Sequence, residues 1–477
     1  MPVKARCGLI SLGCAKNLVD SEVMLGLLRE RGYEITNDAT EADVLIVNTC
    51  AFLGAAVEES LDALREVTAL KKQGRCQAVI ATGCLPSRDV NLIRHNVDGV
   101  DALLGSADFP QIVETVEAIL ERSNIATRQP ANGSSAWSSS FVDTQPLIRI
   151  EDQRYVYDER TPRLRATPWW YAYIKIAEGC DHRCTFCIIP QLRGRFRSRP
   201  MESIVAEARA LAKQGVKEIV LIAQDSTRYG VDLYGTSRLA DLLRALGEIE
   251  EQPWVRVLYA YPTQVTPELI DAMATTPNVC HYIDLPLQHS HPDILRAMWR
   301  GGTPESYRRL IEQFRAAMPD VTVRTTLIVG FPGEQEHHFE HLLDFVQEVK
   351  FDRIGVFKYS PEDGARSAQY PNQVPEEVKE ERYHRLQQTQ QRISLEQNRQ
   401  WVGRILPVLI EGNGTSPNPS SRRRRAGVGA IGRSHRDAPE IDGSVIVKGK
   451  QLQPGTVVHA KITKAYEYDL EGLRVEG

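Results

Sequence analysis

No apolar run in this chain of 477 residues approaches the roughly 20 residues that a membrane-crossing helix needs. The first twenty residues lack the pattern of a secretory signal, because the short apolar run 8–13 is soon followed by Lys16, Asn17 and Asp20. Neither sign of charge dominates: 58 Lys and Arg stand against 62 Asp and Glu, a formal net charge of -4. These absences argue against a membrane partner and against wrapping nucleic acid through overall charge. They favour a cytoplasmic location, where thiols stay reduced and available to metal. The length exceeds one ordinary core and suggests about three domains, and an apolar content of 42% suffices to bury them.

Of the nine cysteines, six sit in patterned places. Cys180, Cys184 and Cys187 form a C-x3-C-x2-C knot directly after the apolar run 171–177. Thiolates are soft ligands suited to iron-sulfur clusters or zinc, and a cubane held by three of them keeps one iron free for a non-protein ligand. A zinc knuckle completed by His182, or a disulfide, is the bland alternative. The position after a strand and before a helix, rather than between two CxxC pairs, favours the cluster.

The first segment repeats one theme. Apolar runs 7–12, 44–47 and 78–81 end at Cys14, Cys50 and Cys84, and helical patterns follow over 21–31, 57–72 and 90–96. That is the βα signature of a parallel sheet, whose ligands gather outside the carboxyl ends of the strands. Three cysteines, one per βα unit, would meet on one rim and hold a second cluster. Cys7, Cys76 and Cys280 fit no pattern and read as small buried residues.

Residues 126–168 lose periodicity, with a serine-rich stretch at 134–140 and several prolines, and read as a linker with one short strand. From 169 the βα rhythm resumes. Strands are expected over 171–177, 218–223, 255–260, 281–285, 323–329 and 353–357, which together suggest an open or complete β/α barrel. Its strand-end loops carry Gln224-Asp225, Gln288-His289 and the turn from Gly330 to Glu334. Each of these also has a bland reading as a helix cap or tight turn. A charged helix over 375–399 reads as a solvated face. Beyond it, short strands over 405–410, 445–447 and 456–462 suggest a small antiparallel β-barrel. The fold class is therefore α/β, with a parallel-sheet domain (1–125), the linker (126–168), a β/α barrel with its C-terminal helix (169–400) and a terminal β-barrel (401–477). Within the terminal unit, 12 Lys and Arg face 8 Asp and Glu, and Arg422, Arg423, Arg424 and Arg425 account for the whole excess. This run reads equally as an RNA phosphate contact or as a solvated loop.

The knot, with Phe186 before its last cysteine, resembles the radical S-adenosyl-L-methionine (SAM) superfamily. The three upstream cysteines and a TRAM-like terminal barrel resemble its methylthiotransferase branch. The segments Ser-Leu-Gly-Cys-Ala-Lys-Asn-Leu-Val-Asp-Ser-Glu at 11–22, Arg-Ser-Arg-Pro at 197–200, Ala-Gln-Asp at 223–225 and Gly-Arg-Ser-His-Arg-Asp-Ala-Pro-Glu-Ile-Asp-Gly at 432–443 are similar to the RimO-type enzymes. That resemblance implies two [4Fe-4S] clusters, one on Cys180, Cys184 and Cys187 and one on Cys14, Cys50 and Cys84. The first would bind and reductively cleave SAM; the second would carry the sulfur. The substrate implied is the twelfth protein of the small ribosomal subunit, methylthiolated at the β-carbon of an aspartate, with a one-electron donor and a sulfur donor as further partners. Phe186, Gln224, Asp225, Gln288, Arg324, Gly330 and Glu334 are the implied SAM contacts. The sister enzymes acting on tRNA adenosine are the alternative, and a non-catalytic iron-sulfur redox protein a more distant one. The chain departs from the family in the serine-rich stretch and in the arginine run. A barrel meeting a basic ribosomal protein is expected to present acidic surface, which Asp437, Glu440 and Asp442 would supply.

Overall fold

A computed structural model of the chain describes residues 4–127, 145–151, 155–413 and 429–475. The serine-rich stretch and the four consecutive arginines lie outside the described residues. The protein falls into two compact units, Met1–Ala166 with Glu178–His182 and Cys187–Arg199, and Thr167–Ala177 with Arg183–Phe186 and Pro200–Gly477.

The first unit is built on a parallel sheet of β1 (Arg6–Ser11), β2 (Glu34–Ile35), β3 (Val44–Thr49), β4 (Ala78–Gly83), β5 (Ala102–Gly105) and β6 (Leu147–Arg149), in the order β2-β1-β3-β4-β5-β6. β3 and β4 are buried throughout, as continuous apolar runs of central parallel strands must be. The two-residue β2 and the four-residue β5 were not expected. β6 is the one short strand anticipated in the linker, and it pairs parallel with β5 rather than standing alone. Strand order reverses between β1 and β3, which opens a crevice at their carboxyl ends.

In the second unit, β7 (Tyr171–Lys175) leads toward two short strands that bracket the cysteine knot in sequence, β8 (Ala177–Glu178) and β9 (Arg197–Ser198). Then come β10 (Glu218–Ile222), β11 (Trp254–Val257), β12 (Val279–Asp284), β13 (Thr322–Val329) and β14 (Arg353–Lys358). The six long strands are parallel and sequential in the order β14-β13-β12-β11-β10-β7, an open β/α barrel. The helix Glu376–Arg399 is not the solvated face its charge suggested. It buries Arg382, Gln390, Ser394 and Asn398, and each has a partner: Glu334, the carbonyls of Phe351 and Asp352, and the carbonyl of Tyr466. Polar residues at helical spacing look solvated until a neighbour supplies their hydrogen bonds.

The terminal unit is a closed barrel of β15 (Ile405–Asn413), β16 (Ala430–Ser434), β17 (Val445–Lys448), β18 (Val457–Ala465) and β19 (Leu470–Val475), in the order β15-β16-β17-β19-β18. β17 and β19 pair parallel, while the other neighbours pair antiparallel. Closure explains how so small a sheet avoids open edges around a core of Leu406, Val408, Val445, Val458 and Ile462.

Asp437 and Asp442 do not form an acidic docking face. Asp437 is buried and pairs with Arg353 at 2.8 Å; Asp442 accepts from Tyr282 at 2.6 Å and lies 3.4 Å from Arg324. Glu440 is exposed but accepts from Tyr171. Arg433 meets Glu218 at 2.7 Å and Arg436 meets Asp352 at 3.1 Å. Tyr171, Glu218 and Arg353 open their strands, so the 432–443 segment is fastened to the amino-terminal ends of the open barrel. In β/α barrels that end serves stability, and the opposite end is free for chemistry.

Candidate active site

In the first unit the residues after β1, β3 and β4 are brought to one rim. Cys14 is the N-cap of the helix Ala15–Glu30, Cys50 follows β3, and Cys84 opens the helix Cys84–Arg88. A methyl group added at Gly13 would lie 2.8 Å from the Cys50 Cβ and 2.9 Å from its Sγ, so the β1 and β3 exits touch. The Cys84 Sγ lies 3.8 Å from the Asn17 Oδ1. Asn17 also donates to the carbonyls of Leu12 (3.1 Å) and Thr49 (2.9 Å), while Asn48 donates to the Asn17 carbonyl and the Ser21 hydroxyl. The polar run at 16–22 is thus a bracket that fixes the turns carrying the cysteines.

A guanidinium from farther along the chain is buried against this bracket. Arg193 donates to Asp20 at 2.7 Å and to the Asn17 side chain, and lies 3.5 Å from Glu178. Burial pushes the Cys84 thiol up to about 12; Arg193 opposes this, and nearby Cys14 and Cys50 add to it. Burial also raises Cys50. At Cys14 burial pushes the same way, but Lys16, Arg193 and the amides of Asn17 and Lys16 outweigh it, and the thiol falls below its usual value. Three sulfurs that feel one another's charge beside one guanidinium suit a thiolate-held cluster. Sequence reasoning missed Asn17, Asn48 and Arg193. The available signal was five polar residues (Lys16, Asn17, Asp20, Ser21, Glu22) in a helix that buries them all.

Gly13 has φ +88°, a conformation that side chains disfavour, and its missing Cβ makes room for Cys50. Gly13→Ala is expected to displace the Cys50 thiol and to lower the iron bound by reconstituted protein toward the content of a chain lacking the upstream triad. Iron analysis checks this, and an unchanged iron content would count against it.

None of the nine cysteines is joined in a disulfide. Cys180, Cys184 and Cys187 are each half-buried, and Cys180 donates its amide to the Gly194 carbonyl at 3.1 Å. The middle of the knot is pinned separately. Thr185 donates its amide to Met298 and its hydroxyl to Ala297, and Phe186 packs against Ile294, Met298, Phe331 and Tyr359. Arg300, 116 residues along the chain from Cys184, sets its Nη1 3.7 Å from that sulfur. It stacks over Tyr261 at 4.0 Å and donates to the Pro286 carbonyl. A fixed cation donating toward a ligand thiolate stabilises the more negative, reduced state of a cluster. Arg300→Gln is therefore expected to make a cluster held by the knot, if one is held there, harder to reduce. Potentiometry followed by electron paramagnetic resonance would reveal an unchanged potential if Arg300 has no such role.

The remaining candidates separate. Gln224, Asp225, Gln288 and Gly330 follow the carboxyl ends of their strands. Asp225 accepts from the amide and hydroxyl of Thr227, so its carboxylate caps a short turn. Gln288 adopts φ +74°, with its amide and carbonyl bonded to Thr326 and Ile328. Such strain in a non-glycine residue is commonest at functional sites. The cap expected near Gln288 is instead His291, which accepts from the Asp293 amide. Glu334 is buried and turned into its own loop: it accepts from the Gly330 amide at 3.0 Å, meets Arg382 at 2.9 Å and lies 3.5 Å from His289. Burial opposes its charge, but His289, the Gly330 amide and Arg382 together outweigh it and hold the carboxyl low. Arg324 lies near the start of β13, and its guanidinium is engaged by Asp284 (2.8 Å) and Asp442 (3.4 Å). Glu334 and Arg324 thus act within the scaffold.

The family model of the Radical SAM superfamily matches residues 174–346, that of Uncharacterized protein family UPF0004 residues 6–105, and that of the TRAM domain residues 402–475. The radical S-adenosylmethionine methyltransferase TsrM from Kitasatospora setae, solved with cobalamin and a [4Fe-4S] cluster bound, is similar in fold. Its TM-score is 0.53 at 15% identity, over 84% of this chain and 77% of that one. Among curated relatives, the ribosomal protein uS12 methylthiotransferase RimO of Desulforamulus reducens is 49% identical, covering 98% of both chains. The protein of the same name from Thermosynechococcus vestitus is 47% identical over 99% of this chain and 97% of its own. With identity of this order spanning nearly the full length of both partners, the chain belongs to the ribosomal protein uS12 methylthiotransferase RimO family.

Proposed function

We propose that the protein is a radical SAM methylthiotransferase that adds a methylthio group to the β-carbon of an aspartate in ribosomal protein uS12. The observation that carries this reading is the convergence of three cysteine-bearing strand ends at the β1/β3 crevice, in a chain that also has the C-x3-C-x2-C knot. Cys180, Cys184 and Cys187 would hold one [4Fe-4S] cluster, and Cys14, Cys50 and Cys84 a second. Bound together, the clusters and SAM supply the one-electron chemistry and the sulfur that no side chain can provide. The chain's own residues set the conditions. Arg300 donates toward Cys184 and is held there by Tyr261; Phe186, the residue before Cys187, is anchored in the apolar cluster of Ile294, Met298, Phe331 and Tyr359. Arg193 offsets the charge of the upstream thiolates, while Asn17 and Asn48 hold the turns that present them. Gln224, Gln288 and the backbone at Gly330 are the groups offered to SAM, and Glu334 shapes their loop.

The one-electron donor and the sulfur donor are separate partners, and the cytoplasm is the compartment in which they would be met. No helix among the described residues is long and apolar enough to cross a membrane. The TRAM domain match and the run Arg422, Arg423, Arg424 and Arg425 favour a contact with RNA phosphate as the enzyme approaches its substrate. They also make tRNA the alternative substrate. Reconstituted protein supplied with SAM, sulfide and reductant, then offered uS12 and tRNA together, separates the readings by mass analysis. Methylthio-aspartate in uS12 is expected. Modification confined to tRNA would replace the proposal with the tRNA reading, and failure to form 5'-deoxyadenosine would reduce the protein to an electron carrier.

A further inference from the structure

In the second unit, one group of three side chains brings its ligating atoms within 4.8 Å of one another: His291, His337 and His338. They come from two different connections. His291 ends the loop after β12 and caps the helix Pro292–Ala297, whereas His337 and His338 lie in the first turn of the helix Glu336–Val349, beyond the loop after β13. The His291 and His338 rings are 4.4 Å apart by centroid, the His337 and His338 rings 3.9 Å, and His341 adds a fourth ring 5.1 Å from His291. Neither cysteine triad nor any residue offered to SAM uses these imidazoles.

We propose that His291, His337 and His338 form a site for a divalent transition metal of the zinc or nickel class, which clamps the loop after β12 to the loop after β13. Imidazole nitrogens with no thiolate and little carboxylate select this class over magnesium and calcium, which need oxygen ligands. The Asp293 carboxylate, 3.9 Å from the His291 Nδ1, adds negative charge beside the site. Burial, aided by the neighbouring imidazoles, lowers the pKa of His291 and takes that of His338 to about 4, and neutral imidazole is the form that binds metal. His337 is exposed, which leaves the site open to an ion from solvent.

Binding has a cost that gives the site a signature. The His291 Nδ1 accepts from the Asp293 amide at 3.2 Å and the His338 Nδ1 from the Gln335 amide at 2.9 Å. Both neutral rings therefore carry their proton on Nε2. Coordination must either take the Nδ1 lone pair from a cap or move the proton and turn the ring nitrogen away from the amide. Metal uptake and helix capping are thus coupled at both connections.

The test uses the full chain with its clusters reconstituted, so that the cluster cysteines are occupied, titrated anaerobically with nickel(II) and followed by calorimetry. One saturable equivalent is expected. His337→Ala removes an exposed ligand, and His291→Asn removes an imidazole while keeping a residue well suited to capping. Each variant is expected to weaken binding by at least about tenfold, as loss of one of three ligands should. Absence of saturable binding in the parent protein, or equal binding in parent and both variants, would overturn the proposal.

Discussion

Replacing Cys14, Cys50 and Cys84 together by alanine is expected to abolish methylthio transfer while SAM cleavage to 5'-deoxyadenosine persists. The two triads hang on different elements. The upstream cysteines leave β1, β3 and β4 of one parallel sheet, whereas the knot follows β7 of another. Cys50 is half-buried and Cys84 buried, and the void left at either is that of a small side chain. The first sheet should therefore stay folded as its cluster is lost. Iron should fall from about eight to about four per chain if each triad holds a cubane. Cys184→Ala is expected to go further, ending both cleavage and transfer, because the knot has no spare thiol. A triple variant that kept its full iron, or a Cys184→Ala variant that still cleaved SAM, would sink the division of labour between the triads.

Glu218→Ala should be the most damaging single change to stability in the second unit, by about 3–5 kcal/mol. Glu218 is fully buried at the start of β10, between Arg256 at 2.7 Å and Arg433 at 2.7 Å. Burial alone would favour its neutral form, but the two guanidiniums outweigh that and hold its carboxyl below the usual range. Removing it leaves Arg256 with no carboxylate and Arg433 with only the partly exposed Glu411. The cost is that of stranding buried positive charge, not the net worth of an ion pair, so replacing all three by apolar residues of similar volume should recover much of the loss. Chemical denaturation followed by tryptophan fluorescence would measure it. A loss below about 1 kcal/mol, the range of exposed pairs, would mean that water or rearrangement reaches the arginines.

Much of the architecture could be read locally. All six strands of the open barrel overlap the short apolar runs expected for them, because a strand carries its signal in its own few residues, whether it is buried throughout, as β7 and β10 are, or only in part, as β14 is. The unexpected strands were the short or weakly apolar ones: β2, β5, β9, β16 with its two polar residues, and β19. The acidic residues of 432–443 were misjudged for a related reason. A carboxylate's environment depends on its partner, and Arg353 lies 84 residues from Asp437.

The sequence by itself determined the two βα series, the closing β-strand unit, and the placing of six cysteines just beyond apolar runs. Hydrophobic periodicity and ligand spacing act over a few residues, so the chain states them wherever they occur. Tertiary structure alone decided that the sheet order reverses between β1 and β3, which turns three separate strand-end thiols into neighbours. It also decided that Arg193 and Arg300 stand beside cysteines distant in sequence, and that three histidines from two loops meet. These depend on which buried charge or neutral ring finds which partner, and that choice is made by packing across the fold, where no local pattern records it.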